Sequence, residues 1–247
     1  MNTQIAVVIL AAGLGTRMKS TKAKVLHAVC GKPMVLYVVG TAQKIVGNNV
    51  VLVVGHQADE VRRTVSQQGS FNFAHQAEQL GTGHAVLCAL PHIPDPCREV
   101  VILCGDVPLI QARTIEALIE SHLAANRDIS ILAVELPNPT GYGRILLDGE
   151  GRVQAIVEEA DASAEQKRIR LINTGIFCIK KEFLADALPQ IKSNNAQSEL
   201  YLTDIIGIAY RNRKHIGAVT GDDPVEVTGI NTIEELKSVE QAMQNRP

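Results

Sequence analysis

Six cations precede the first acid in this chain. Arg17, Lys19, Lys22, Lys24, Lys32 and Lys44 all lie before Asp59, and a field of one sign over that length draws small polyanions. Arg17 and Lys24 follow the turn Ala11-Ala12-Gly13-Leu14-Gly15-Thr16, which closes an aliphatic run. Small residues there let main-chain N–H groups approach a ligand closely, and phosphate is their natural guest. Two fixed cations just after the turn can reach phosphates held by it. A second aliphatic run, 100–104, opens into Gly105-Asp106. A carboxylate at such a strand end can hold Mg²⁺, and its bland alternative is a helix N-cap. The chemistry these residues suggest is the handling of a polyphosphate.

Counting positions removes two familiar phosphate loops. A Walker A loop needs Gly-Lys-Ser/Thr five places after its first glycine, where Gly13 and Gly15 lead to Met18 and Ser20. A dinucleotide GxGxxG needs glycine at Met18 and an acid about twenty residues on, before Asp59 is reached.

The elements that must position these residues follow from periodicity. Continuous aliphatic runs at 5–10, 50–54, 100–104 and 129–134 read as strands buried on both faces. Stretches with helical spacing at 35–46, 82–90 and 114–124 alternate with them, which predicts a doubly wound, mostly parallel α/β sheet. After Leu136 the pattern becomes less regular. Short strands at 144–147 and 153–157 flank Asp148-Gly149-Glu150-Gly151, a hairpin signal, and a strand at 172–180 is followed by helices at 199–210 and 233–243.

The 247 residues suffice for a substantial core, built from aliphatic side chains because aromatic residues make up 3% and Trp is absent. A net charge of −2 gives no global basic field for nucleic acid. The apolar run that stops at Gly13 is too short for a secretory signal or a membrane span, so the cytoplasm is the expected location. Five cysteines without a CxxC pair suit reduced thiols and carry no metal role.

Leu10-Ala-Ala-Gly-Leu-Gly-Thr-Arg-Met18, followed by Lys22-Ala-Lys-Val-Leu-His-Ala-Val-Cys-Gly-Lys-Pro-Met34, resembles the N-terminal signature of the sugar-nucleotide pyrophosphorylases. Within that family the chain is most similar to the uridylyltransferase domains of bacterial bifunctional uridylyl- and acetyltransferases. The likeness continues in order through segments 76–85, 105–109, 139–145, 172–176, 194–197, 201–204 and 229–231.

The resemblance implies a GT-A-like fold and a Mg²⁺-dependent transfer of UMP from UTP to a sugar 1-phosphate, N-acetylglucosamine 1-phosphate first among them. It implies that Arg17 and Lys24 grip the triphosphate, and that Asp106 and Asn231 hold the metal. Asn231 also precedes a probable helix start, where a capping role is the alternative. The nucleotide falls to Leu10, Ala11, Ala12, Gly13, Gln76, Gly81 and Thr82, and the sugar to Gly141, Glu158, Asn173, Tyr201 and Thr203. His75 and His84 are read as structural, because no step of the reaction needs an imidazole.

The implied organisation is one domain over 1–247, with a nucleotide part at 1–136, a mainly sugar-binding part at 137–231 and a terminal helix at 232–247. The bifunctional relatives continue into a left-handed β-helix that carries acetyl transfer and trimerisation. No such repeats occur in this sequence, so a monomer without acetyl transfer, nucleic-acid or membrane partners is expected. The chain departs from these relatives at Cys104, Ala160, Ser198 and Leu200, all around the sugar pocket. Glucose 1-phosphate, another nucleotide, or a silent nucleotide-sugar-binding subunit are the alternatives this leaves.

Overall fold

The computed structural model describes residues 4–244; the two ends of the expected domain, 1–3 and 245–247, lie outside them. Strand β1 (Ile5–Ala11) shows why its sequence is uninterrupted by polar residues. Val7, Ile9 and Ala11 enter one buried cluster while Ala6 and Val8 enter another on the opposite face. A strand covered on both sides has no polar face to display. A short hairpin of β2 (Ala28–Val29) and β3 (Lys32–Pro33) leads into α1 (Met34–Val46). Strand β4 (Val50–Val54), buried at every residue, follows and pairs parallel with β1.

The chain continues through α2 (Ala58–Ser66), β5 (Asn72–His75), α3 (Thr82–Ala89), β6 (Glu99–Cys104), α4 (Ala112–Ala124) and β7 (Ile129–Glu135). Next come the hairpin β8 (Gly143–Leu147) and β9 (Val153–Val157), then β10 (Leu171–Lys180), α5 (Lys181–Ala187), α6 (Asp204–Arg211), β11 (Ile216–Thr220) and α7 (Ile233–Gln244). The main sheet runs β11-β7-β10-β6-β1-β4-β5, with the β8-β9 hairpin attached to β10.

Pairings among β6, β1, β4 and β5, and between β11 and β7, are parallel. Strand β10 lies antiparallel between β6 and β7. Its register shifts between Asn173 and Phe177, where Gly175 takes a left-handed φ of 77°. The bulge re-aims the strand at the site edge of the sheet. Among the described residues no helix is long and apolar enough to cross a membrane.

Every strand and helix expected from periodicity is present, but one boundary is wrong and six elements were not foreseen, the two-residue strands β2 and β3 among them. Helix was expected from Glu199, whereas α6 begins at Asp204. The Leu200 N–H donates to Leu80 O and its carbonyl accepts from Gly83 N–H, both at 2.7 Å, so this stretch spends its main-chain groups on another segment. Helices α2 and α5 and strands β5 and β11 are short or polar, and the edge strands β5 and β11 are only partly buried. A mixed face at a sheet edge leaves no continuous aliphatic run.

Leu52 sits at 0% exposure in the centre of β4. Leu52→Ala leaves a cavity there and is expected to lower stability by about 3 kcal/mol, read as a lower denaturant midpoint at unchanged slope.

Candidate active site

The turn after β1 is shaped by its contact with Lys24. Gly15 has φ 68°, and a Cβ there would stand 2.6 Å from the Lys24 Cβ. Only glycine lets the loop close so tightly over the lysine. At Gly13, by contrast, a Cβ would meet no protein atom within 4 Å, so this main chain opens onto a cleft.

The cleft holds about 440 Å³ and is lined by Leu10, Ala12, Gly13, Lys24, Gln76, Gly81, Thr82, Cys104 and Asp106, among others. Eight of these, all but Cys104, are residues expected at the site from the sequence. Ala11 lies just behind it, buried in the core.

Asp106 reaches the cleft because β6 ends at Cys104 and the Gly105 N–H bonds the Leu10 carbonyl at 2.9 Å. The next helix begins at Ala112, so Asp106 caps none. Its main-chain carbonyl accepts from Ile230 N–H at 2.9 Å, which brings Asn231 alongside. Helix α7 has its own capping box. The Thr232 hydroxyl accepts from Glu235 N–H at 3.1 Å, and Glu235 Oε2 accepts from the N–H groups of Thr232 at 3.0 Å and Asn231 at 2.6 Å. The capping role considered for Asn231 therefore belongs to Thr232, and the Asn231 side chain turns into the cleft.

There the Lys24 ammonium donates to Asp106 Oδ2 and, at 3.1 Å, to Asn231 Oδ1. Arg17 Nη2 donates to the same Asn231 oxygen at 2.9 Å. Four residues from three distant parts of the chain form one network. The two acceptor oxygens converge on a single cationic centre, and both are hard oxygen donors of the kind Mg²⁺ takes. Among the described residues no group of three or more His, Cys, Asp or Glu side chains could hold a metal. An ion seated on Asp106 and Asn231 would complete its shell with phosphate and water, as Mg²⁺ commonly does.

Gln76 is 3% exposed, and its amide nitrogen donates to Gly81 O at 3.0 Å and lies 3.2 Å from His84 Nδ1. His84 Nδ1 also stands 3.0 Å from Glu78 O. The histidine and the glutamine together brace the turn at Gly81, as the structural reading of His84 requires. Gly81 itself, at φ 109°, has the Leu200 carbonyl 2.6 Å from where a Cβ would be. The Thr82 hydroxyl accepts from Leu202 N–H at 3.0 Å.

Of the five residues expected at the sugar, Thr203 and Asn173 lie nearest Glu158. Its Oε1 accepts from the Thr203 hydroxyl at 2.9 Å. Gly143, next to Glu158, pairs with Asn173 across the sheet, and Asn173 Oδ1 accepts from Gly175 N–H at 3.1 Å. Burial pushes the Glu158 carboxyl above its ordinary range, partly offset by the Thr203 bond. Tyr201 is buried, with its hydroxyl donating to Gln197 Oε1 at 2.8 Å, and burial foremost lifts its phenol to about 12. Gly141 lies exposed in the turn before β8.

Cys104 stands between the two groups, its sulfur 3.7 Å from Gly175 O and its thiol pushed up to about 12, chiefly by burial. Ser198 holds a left-handed φ of 55°. The cleft also takes in Gln79 and Glu199, which received no role from the sequence. Gln79 lies inside the segment 76–85, so that motif was its signal; Glu199 had none.

A mostly parallel sheet whose first βα turn faces a carboxylate at the C-terminal edge, with cations between them, places this cleft where open α/β sheets bind their ligands. Residues 7–170 match the MobA-like NTP transferase domain, and the chain belongs to that family. It is similar to the "Bifunctional protein GlmU" of Geotalea uraniireducens, 46% identical over 98% of this chain and 53% of that protein. It is similar also to proteins of that name from Pelotomaculum thermopropionicum, at 47% identity over 98% and 52%, and Desulfotalea psychrophila, at 41% over 98% and 71%. The chain spans about half the length of most of these relatives. A putative glucose-1-phosphate thymidylyltransferase from Bacillus anthracis, solved with a sucrose, superposes with a TM-score of 0.75 over 98% of this chain and 96% of its own. At 19% identity that likeness confirms the α/β fold alone.

The Gly81 contact yields a test. Gly81→Ala forces the Leu200 main chain away and imposes an unfavourable φ, costing about 2 kcal/mol or more. A lower melting temperature is expected; an unchanged one would contradict the packing described.

Proposed function

We propose that the protein transfers UMP from UTP to N-acetylglucosamine 1-phosphate, forming UDP-N-acetylglucosamine and pyrophosphate. The observation that carries this reading is the convergence of Arg17, Lys24, Asp106 and Asn231 beside a glycine turn, in the cleft that also holds Gln76, Gly81 and Thr82. Its support from relatives is the match of almost the whole chain to part of the bifunctional proteins.

In this reading a sugar-phosphate oxygen attacks the α-phosphorus in line. A new P–O bond forms there while the bond to the bridging oxygen breaks, and pyrophosphate departs with the electron pair. Such transfers depend on alignment and on neutralising charge spread over the transferred group. Lys24 serves the reacting phosphate and Arg17 the departing pyrophosphate, both released from Asp106 and Asn231 as substrate arrives. Those two oxygens would hold Mg²⁺, which when bound supplies charge neutralisation to the phosphates. The open main chain at Gly13, with Leu10, Ala11 and Ala12 behind it, and with Gln76 and the Gly81-Thr82 turn, takes the nucleoside.

The sugar falls to Gly141, Glu158, Asn173 and Tyr201, with Thr203 acting on the Glu158 carboxylate. The nucleotide part is 1–136 and the mainly sugar-binding part 137–231. The same reading places the enzyme in the cytoplasm as a monomer, without nucleic-acid or membrane partners.

Pyrophosphate release with Mg²⁺, measured across UTP, dTTP and ATP against N-acetylglucosamine and glucose 1-phosphates, tests the assignment. The highest kcat/KM is expected for UTP with the N-acetylated sugar. A faster pair would replace that substrate choice, and nucleotide binding without release by any pair would favour a binding subunit. Lys24→Met is expected to lower kcat at least about a hundredfold, the typical loss of one donor aimed at developing charge. Asp106→Ala should abolish metal-dependent turnover with thermal unfolding retained, and undiminished activity in that variant would sink the metal assignment.

A further inference from the structure

Arg144 is 1% exposed, the largest side chain so deeply buried. A guanidinium taken out of water is costly unless its donors are satisfied. Its Nη1 donates to Tyr142 O, and its Nη2 donates to Glu159 Oε2 at 2.7 Å and to Lys167 O at 3.4 Å. Its buried Nε has no partner among the described residues. The interior therefore holds this charge at a cost that a simple strand residue would not incur.

The partners explain the cost. Glu159 Oε2, which takes the arginine, also accepts from Gly141 N–H at 3.3 Å, and Glu159 Oε1 lies 3.7 Å from the Lys167 ammonium. The bond from Arg144 holds the Glu159 carboxyl below its ordinary range. Main-chain pairing already secures β8 to β9 and β10. The ion pair adds something the ladder does not. It ties the turn before β8, which carries Gly141, to the chain just after β9, which carries Glu158. At that point adjacent side chains part company, Glu158 towards Thr203 and Glu159 towards Arg144. Fixing Glu159 from one side fixes where Glu158 is presented on the other.

We propose that Arg144 and Glu159 are a positioning pair for the sugar, setting the Gly141 turn and the Glu158 carboxylate at a spacing that fits the hydroxyls of one pyranose ring. Neither side chain touches the substrate. The inference rests on the reading that the Glu158 cluster takes the sugar. A planar guanidinium bonds Tyr142 O and Glu159 in fixed directions at once, which lysine cannot reproduce.

Calorimetry with UDP and with UDP-N-acetylglucosamine separates the sugar's contribution from the nucleotide's. Wild-type protein should bind the nucleotide sugar more tightly than UDP. In E159A that preference should fall about tenfold, the loss of a charge-assisted hydrogen bond, with UDP affinity held within about twofold. E159Q, which keeps an acceptor for Gly141 N–H, should lose less. Hydrogen exchange over 139–143 should quicken in E159A. A lysine at the arginine position, R144K, should follow E159A rather than wild type. A purely structural pair would weaken both ligands together. A wild-type preference retained in E159A would overturn this inference alone, whereas a wild type with no preference for any nucleotide sugar would overturn the substrate reading and this inference with it.

Discussion

The Lys24 ammonium, bonded to Asp106 and Asn231, is the contact on which the rest of the site depends. It draws together the loop after β1, the C-terminal edge of β6 and the approach to α7. Each arrives there for its own local reason. Gly15 lets the loop close over the lysine, Gly105 turns the chain at the end of β6, and the Thr232-Glu235 capping box leaves Asn231 uncommitted. Without the lysine, a partly buried carboxylate would lose its compensating charge. Without the carboxylate, Arg17 and Lys24 would crowd one acceptor with two positive charges.

A sheet of this kind is what makes such a meeting dependable. Strands β1 and β6 are adjacent, parallel and buried on both faces, so their ends cannot move independently. The antiparallel β10 sits against β6 and carries Asn173 to the same edge through its bulge. The second cluster thus rides on the framework that positions the first, with Cys104 between them.

Much of this was legible in the residues. Aliphatic runs without polar interruption announced the buried parallel strands, and elimination of two phosphate loops left a distinct glycine turn beside cations. The four network residues were named before any geometry, although Asn231 rested on resemblance, since its position before a helix equally suited a cap. What stayed hidden has physical causes. The residues 199–203 continue a helical pattern, and the two main-chain bonds of Leu200 to Leu80 and Gly83 hold the chain out of the helix, which starts only at Asp204. Glu199 reaches the cleft through that same docking. Arg144 lay within a named motif, yet a single arginine in a strand gives no sign of burial, and its carboxylate partner lies fifteen residues away.

The docking of Leu200 against Leu80, Gly81 and Gly83 is made by main-chain atoms, and the Thr82 hydroxyl adds a side-chain acceptor for the Leu202 N–H. The Leu200 side chain meanwhile packs against the core on that side of the sheet. The hydrogen bonds of Leu200 leave its side chain outside the seam, so the neighbouring turn is shaped by main-chain atoms. The fold therefore separates a part of the cleft whose shape is set by the main chain from a part whose character is set by side chains.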